Sequence, residues 1–531
     1  MKKKYVGILM ALVLAVTGTM TGCGGESPAK PKPKTATSSV TSSESVSSTT
    51  SSETTAEEST VSSEETSSAE STESAAASSE DTKTEEKKVD EAYAYQLKDD
   101  GSISMSYGAI LHAFAWDFKT ITANLQDIKD AGYTSIQTSP INQCKEGENG
   151  GMALYSDDDK GKWYYHYQPT DYVIGNYQLG TEEEFKTLCQ EADKLGLKII
   201  VDVPLNHTTS DESAISQNIF DICEQPFHDL GDIATYASRK QVTQRNLLGL
   251  KDLNTQDKDV QAYLLKYLKT CLEDGASGFR YDAAKHIELP DDDAAFASDF
   301  WPTILDNGAE FQYGEILQSE NDRFEDYAKI MNVTASNYGS TIRGATHGVV
   351  STAAVEPYGI SSVDPSKIVT WVESHDNYCN DGEDSWYDMD EVDVEFGWAI
   401  IAARSGGAPL FFSRPNNASK DNPWGDNVIG KAGSDGYKSK NVSALNHFRN
   451  EMAGLGEKLS NLDEDKKVLM IERGDKGAVI INMNDKDFEI KDGETVLADG
   501  TYKDKVTDAE FTVSGGKISG KIPSKGIIVI Y

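Results

Sequence analysis

Residues 181–202, TEEEFKTLCQEADKLGLKIIVD, carry one complete unit of the chain's architecture. Thr181 is placed to cap a helix, and Glu182, Glu183 and Glu184 fill a first turn where the positive end of the helix dipole favours them. Phe185, Leu188, Ala192 and Leu195 then recur at helical spacing, Gly196 stops the helix, and Leu197-Lys-Ile-Ile-Val-Asp202 reads as a buried strand ending in a carboxylate. The unit is repeated on both sides. Upstream, Ile121, Leu125, Ile128 and Ala131 form a helical face before Gly132 and the strand Thr134-Ser-Ile-Gln-Thr-Ser139. Downstream, Val260, Leu264, Tyr267, Leu268 and Cys271 lead to Gly275 and the strand Ser277-Gly-Phe-Arg-Tyr-Asp282. Helix, glycine and strand in this recurring order mark a parallel α/β fold.

Further strands are expected at Glu310-Phe-Gln-Tyr-Gly-Glu315, Ile368-Val-Thr-Trp-Val-Glu-Ser-His-Asp376 and Pro409-Leu-Phe-Phe-Ser413, which sets acidic residues 202, 282, 315 and 376 at carboxyl ends of strands. In a (β/α)8 TIM barrel those ends form the catalytic face. The doubly wound open sheet is the alternative, but no Gly-rich dinucleotide turn follows the first strand, so the barrel is the expected fold. The repeat is interrupted after its third strand by residues 207–249, which lack a long helical period and read as a small inserted domain. Beyond Gly456 short alternating strands such as Val468-Leu-Met-Ile-Glu and Gly526-Ile-Ile-Val-Ile-Tyr531 predict a separate antiparallel β-sandwich over 457–531.

The chain's 531 residues hold 50 Lys and Arg against 87 Asp and Glu, a formal charge of −37. That balance excludes nucleic acid as a partner, because binding to a phosphate backbone needs clustered cations. The folded part, from residue 93 onward, retains −31, which suits a neutral substrate. The six cysteines (23, 144, 189, 223, 271, 379) include no CxxC pair, so neither a zinc ribbon nor a dithiol redox centre is encoded, and most read as buried, inert thiols.

Lys2, Lys3 and Lys4 precede an apolar run from Val6 to Val16, too short to span a bilayer and typical of a secretory signal. Met20-Thr-Gly-Cys23 resembles the lipobox of bacterial lipoproteins, so residues 1–23 are expected to be a leader with Cys23 lipidated, simple cleavage and release being the alternative. From Ser38 to Ser79 there are 18 Ser, 8 Thr and 8 Glu in 42 residues, with no aromatic, Leu or Ile. Such a segment cannot bury a core, and residues 24–92 read as a disordered acidic stalk. The expected location is extracellular, tethered to the cell surface through that lipid, which would be the chain's one membrane contact.

Four motifs stand in order along the strands: Asp202-Val-Pro-Leu-Asn-His207, Gly278-Phe-Arg-Tyr-Asp-Ala-Ala-Lys-His286, Gln312-Tyr-Gly-Glu315 and Glu373-Ser-His-Asp376. They resemble the signature regions of the alpha-amylase family of retaining glycoside hydrolases, and stretches such as LLGLKDLNTQ, TWVESHD and PLFFSRP look like those of the bacillus-type extracellular members. The resemblance implies a catalytic barrel over 93–206 and 250–456, a small B domain at 207–249 after strand 3, and a C-terminal β-sandwich. It further implies a monomeric, endo-acting hydrolase of alpha-1,4-glucosidic bonds in starch and maltooligosaccharides.

Elementary chemistry agrees with that implication. Retaining hydrolysis needs a carboxylate nucleophile and a carboxylic acid about 5 Å apart. Asp282 and Glu315 fit these roles, with Asp376 expected to raise the affinity of Glu315 for its proton and to stabilise the oxocarbenium-like charge. Arg280 lies two residues before Asp282, on the same face of the strand, where its guanidinium would keep the nucleophile ionised. By the resemblance, His207 and His375 bind hydroxyls of the sugar being cleaved, Lys285 and His286 grip the leaving side, and Tyr167 and Gln168 in Trp163-Tyr-Tyr-His-Tyr-Gln-Pro169 belong to an aromatic platform. Asn206 and Asp252 match calcium ligands of the family, with the carbonyls of Thr243 and His286 completing an all-oxygen site suited to a hard cation. Chloride is not expected, since Ser374 stands where chloride-binding members carry Asn. A transglycosylase or debranching enzyme of the same family, and a tethered starch-binding protein without catalysis, are the other readings; the presence of all three carboxylates and both histidines argues against the last.

Overall fold

A computed structural model of the chain describes residues 89–156, 161–319, 322–360, 362–380 and 389–531. The leader, Cys23 and the stalk as far as residue 88 lie outside the described residues. The last residues assigned to the stalk do not belong to it: Asp90 caps a short 3-10 helix, Glu91–Gln96, and its backbone N–H donates to Gly454 O at 2.9 Å. Val89 packs beside Gly454 and Tyr93 beside Gly456, so residues 89–92 are held by the folded body, and the stalk must end earlier than residue 92.

Eight parallel strands close into a barrel: β1 (Ile110–Ala113), β2 (Ser135–Thr138), β3 (Lys198–Val203), β4 (Gly278–Tyr281), β5 (Phe311–Gly314), β6 (Asn332–Thr334), β7 (Ile368–Trp371) and β8 (Ala408–Phe412). Sequence reading finds six of these and misses β1 and β6. The helices expected from the repeat are α1 (Phe118–Asp130), α2 (Glu182–Lys194) and α3 (Lys258–Glu273). Thr181 and Glu184 form a reciprocal capping box at the start of α2, worth about 1 kcal/mol. Phe185, Leu188, Cys189 and Ala192 are buried against the barrel. Gly275 ends the third unit at φ +111°, and a β-carbon there would come within 2.7 Å of Cys189 Cβ, so a larger residue would be strained twice over. Among the described residues the five cysteines form no disulfide, and three of them are buried.

Two connections at the carboxyl ends of the strands are long. The one after β3 runs from residue 204 to the start of α3 and contains the stretch 207–249, folded as short helices and bridges, among them His207 paired with Asp252. The one after β2 carries an antiparallel three-stranded sheet of its own, Asn142–Cys144, Pro169–Asn176 and Gly180–Thr181. The sequence reading had not separated this second excursion. The two are stitched together by Thr209 N donating to Pro169 O and Ser216 N to Thr170 O.

After the barrel come β9 (Glu457–Asn461), β10 (Val468–Arg473), β11 (Gly477–Asn482), β12 (Phe488–Glu494), β13 (Gly500–Lys503), β14 (Glu510–Ser514), β15 (Lys517–Ile522) and β16 (Gly526–Ile530). They form two antiparallel sheets, ordered β9-β10-β11-β16 and β12-β15-β14-β13. Strand alternation divides the first sheet between two cores. Val468, Met470, Ala478, Ile480, Ile528 and Ile530 face Phe511, Val513 and Ile518 of the second sheet, while Leu469, Ile471, Val479, Ile481 and Val529 join the barrel's core. That two-sided burial is why residues 468–471 and 527–530 are unbroken apolar runs, where the sequence reading expects alternating strands.

Candidate active site

The site grows from the registered ends of β3, β4 and β5. Asp202 and Arg280 are paired across β3 and β4, and Arg280 is paired with Tyr313 on β5, so these positions stand at one height in the barrel. Backbone bonds carry the ladders one residue further, Asp282 N to Val203 O at 3.0 Å and Glu315 N to Tyr281 O at 2.9 Å, which fixes where both carboxylates leave the barrel. The Arg280 guanidinium, buried, is the hub. Its Nη1 donates to Asp202 at 2.8 and 3.0 Å and to Asp282 Oδ1 at 2.7 Å, and its Nη2 pairs with Glu315 Oε1 at 3.0 Å. Ala283, in the left-handed region at φ +48°, turns its N–H to Glu315 Oε2 at 3.0 Å.

Asp376 arrives from a different direction. Strand β7 ends at Trp371, and Asp376 lies in the first turn of a short helix, His375–Cys379, whose capping box joins Ser374 and Asn377. The expectation that the strand itself runs to Asp376 is thereby corrected. Ser374 is extended while the next residues are helical, and this turn presents Asp376 to Glu315, with which it shares a hydrogen bond. Glu373, buried, forms an ion pair with Arg414 that holds the loop after β7 against the loop after β8.

One cation therefore faces four carboxylates, and the balance of charge departs from the sequence expectation. Burial pushes Asp282 up against the pull of Arg280, and with Glu315 and Asp202 adding their repulsion it reaches about 7. Asp202 rises to about 6 for the same reason. Burial raises Glu315 as well, but Arg280, the Ala283 amide, His375 and Asp376 outweigh it and bring it down to about 2. Asp376, buried and beside Glu315, is driven well above the ordinary carboxylate range. The expectation was an ionised Asp282 and a protonated Glu315. The shifts take these directions because the guanidinium is shared with Glu315 rather than reserved for Asp282.

Around the carboxylates stand the aromatic and imidazole groups. Tyr167 stacks on His375 with ring centroids 5.0 Å apart and planes 9° apart, and its hydroxyl donates to Asp202 Oδ2 at 2.8 Å. His207 Nε2 lies 3.1 Å from Tyr167 O. Burial lowers His207 to about 4 and His375 to about 3, so both imidazoles are neutral; the second nitrogen of His207, Nδ1, lies 3.3 Å from Asn206 Nδ2, and His375 Nε2 lies 3.4 Å from Asp376 Oδ2. Phe114, Trp163 and His112 pack around His375 at 5.4 to 6.2 Å. Phe114 and His112 belong to the end of β1 and were missed with it.

Not every expected residue points at the carboxylates. Gln168 Oε1 accepts from Thr209 Oγ1 at 3.0 Å and so ties the two excursions together. Lys285 and His286 lie on the 3-10 turn Ala284–His286 just beyond Asp282, with Lys285 Nζ 3.4 Å from Leu317 O. The His286 ring turns to the inserted segment, its Nδ1 2.8 Å from Val242 O. That contact draws Thr243 toward His286, while the bridge between His207 and Asp252 brings Asn206 beside the Asp252 carboxylate.

Residues 75–229 match the family model described as the alpha amylase catalytic domain, and residues 459–531 match that of the alpha amylase C-terminal all-beta domain. An alpha-amylase of Butyrivibrio fibrisolvens is 44% identical over 466 residues, covering 80% of this chain and 47% of that protein. One from Clostridium acetobutylicum is 36% identical over 438 residues, covering 80% and 54%. The chain thus spans about half the length of these curated relatives. Among solved structures, a mutant alpha-amylase I from Eisenia fetida in complex with maltohexaose aligns with a TM-score of 0.66 over 81% of this chain and 98% of its own, at 20% identity. At that identity the likeness speaks for the fold alone.

Proposed function

The chain belongs to the alpha-amylase family, and from that premise we propose that it hydrolyses internal alpha-1,4-glucosidic bonds of starch and maltodextrins with retention of configuration. The observation that carries this reading is the set of three carboxylates, Asp282, Glu315 and Asp376, gathered at the barrel's carboxyl end around Arg280 and the stacked pair Tyr167 and His375. Asp282 attacks the anomeric carbon as Glu315 gives a proton to the departing glycosidic oxygen. Glu315 then takes a proton from the water that frees the sugar. Asp376, whose burial beside Glu315 favours its protonated form, is one hydrogen bond from that acid and is placed to share a proton with it. Soluble starch incubated with the protein is expected to yield several maltooligosaccharides from the first minutes, each initially the α-anomer by NMR. Initial β-anomers would overturn the two-carboxylate assignment. Glucose or maltose alone would overturn endo-action, and binding without cleavage would leave a starch-binding protein.

The residues also fit calcium. Asp252 and Glu288 are both buried, His228 lies between them at 2.7 Å from Asp252 Oδ2 and 3.8 Å from Glu288 Oε1, and Glu288 Oε1 has no hydrogen-bond partner. Burial pushes Glu288 up to about 7 and Asp252 well above its ordinary value, a surplus of carboxylate that a hard cation would offset. Asn206, Asp252 and the carbonyls of Thr243 and His286 would hold the ion, which would pin the inserted segment to the barrel without entering the chemistry. Exhaustive chelation is expected to lower the melting temperature by several degrees, restored by added calcium. An unchanged melting curve after verified metal removal would count against the site. The protein acts outside the cell, tethered through lipidated Cys23. With its own leader, starch digestion should therefore stay with washed cells and move to the medium on Cys23→Ser.

A further inference from the structure

The loops after β2 and β8 meet above the end of β1, which lies between those strands in the ring. Tyr155 from the first loop and Trp424 from the second stack with ring centroids 5.3 Å apart and planes 7° apart, and Lys162 Nζ covers the Tyr155 ring at 4.7 Å. Asn427 locks the pair. Its Oδ1 accepts from Tyr155 N and its Nδ2 donates to Tyr155 O, both at 2.8 Å. The next residue toward the N-terminus from Trp424, Pro423, accepts at 2.7 Å from the hydroxyl of Tyr378, two positions beyond Asp376. A stack of exposed Tyr155 on half-buried Trp424, pinned from both loops and tied to the catalytic turn, is more than chance packing of a rim.

The hollow on the Trp424 side of this clasp, lined also by Phe114, Leu154 and Asn427, has a volume of about 10 Å³, room for one water and not for a sugar ring. Lys285 and His286, the leaving-side residues, follow β4, and in an eight-stranded ring β1 lies across the mouth from β4 and β5. A glucan passing from Lys285 over the carboxylates therefore runs toward the clasp and cannot thread below it.

We infer that the Tyr155–Trp424 clasp sets how many glucose units are held on the non-leaving side of the scissile bond. Units beyond it pass over the clasp into solvent, which leaves internal cleavage open while ending the row of bound sugars. This rests on the hydrolase reading above. The test uses maltoheptaose labelled at its reducing end, whose labelled product counts the units on the leaving side. With Trp424→Ala or Tyr155→Ala the held row lengthens, and the labelled product is expected to become shorter by about one glucose unit. KM should change on the order of fivefold, as for a lost or gained aromatic contact, with kcat changed less than about twofold. Trp424→Phe, which keeps a stack, should restore the parent pattern. If the parent protein cleaves maltoheptaose and both alanine variants give its labelled products unchanged, the clasp has no such role. If the parent protein does not cleave at all, the hydrolase reading itself falls. Should Trp424→Ala fail to fold, Tyr155→Ala, at a more exposed residue, carries the same readout.

Discussion

Asp282→Asn and Glu315→Gln are each expected to lower starch hydrolysis by about four to six orders of magnitude, since groups that act as a unit fail together. Loss of activity alone cannot assign their roles, but the choice of substrate can. A maltosyl fluoride leaves with little need of protonation, so the Glu315→Gln protein should still form a glycosyl ester on Asp282. It should also accumulate that ester, because the base that activates water is missing. Asp282→Asn has no nucleophile and should trap nothing. Intact-protein mass spectrometry would show an added maltosyl mass on the first variant and none on the second. The reverse pattern would exchange the two assignments, and an adduct mapped to Asp376 would make that residue the nucleophile.

Removing the hub of the cluster should be almost as costly and in a different way. Arg280 is the cation that contacts Asp202, Asp282 and Glu315 together, and Asp202 is fully buried. Arg280→Met would leave these carboxylates uncompensated, at a cost of about 3–5 kcal/mol, read as a large drop in the melting temperature. Arg280→Lys keeps one charge, but a single ammonium cannot span three carboxylates as a guanidinium fork does. Because Arg280 lowers Asp202, Asp282 and Glu315 alike, weakening it raises all three. The acidic limb of the pH dependence of kcat/KM, where the nucleophile must lose its proton, is thus expected to move to higher pH in Arg280→Lys. A limb that stays in place would show that Arg280 is structural and does not tune Asp282.

The calcium region illustrates how far a motif reaches. Asn206 and Asp252 can be picked out by resemblance, but His228 and Glu288, which share their buried pocket, cannot. Neither belongs to the four signature motifs, and what makes them notable is burial without a full set of partners. Likewise Tyr155 and Trp424, 269 positions apart, give no sign in the sequence that they touch; the stack exists because β2, β1 and β8 are neighbours in a closed ring.

By itself the sequence determined the barrel, the sandwich that follows it, and the acidic residues at the strand ends. Those features rest on local rules: helical spacing in α1, α2 and α3, a cap at Thr181, stops at Gly132, Gly196 and Gly275, and alternation or its absence in strands. It did not show β1 and β6. Only the tertiary structure decided that Arg280 is divided among Asp202, Asp282 and Glu315, that burial beside Glu315 raises Asp376, and that Gln168 binds Thr209 and not the cleft. The reason is physical. Protonation in a buried cluster depends on the sum of charges that ring closure brings within a few ångströms, and those charges come from β3, β4, β5 and the turn after β7, far apart along the chain.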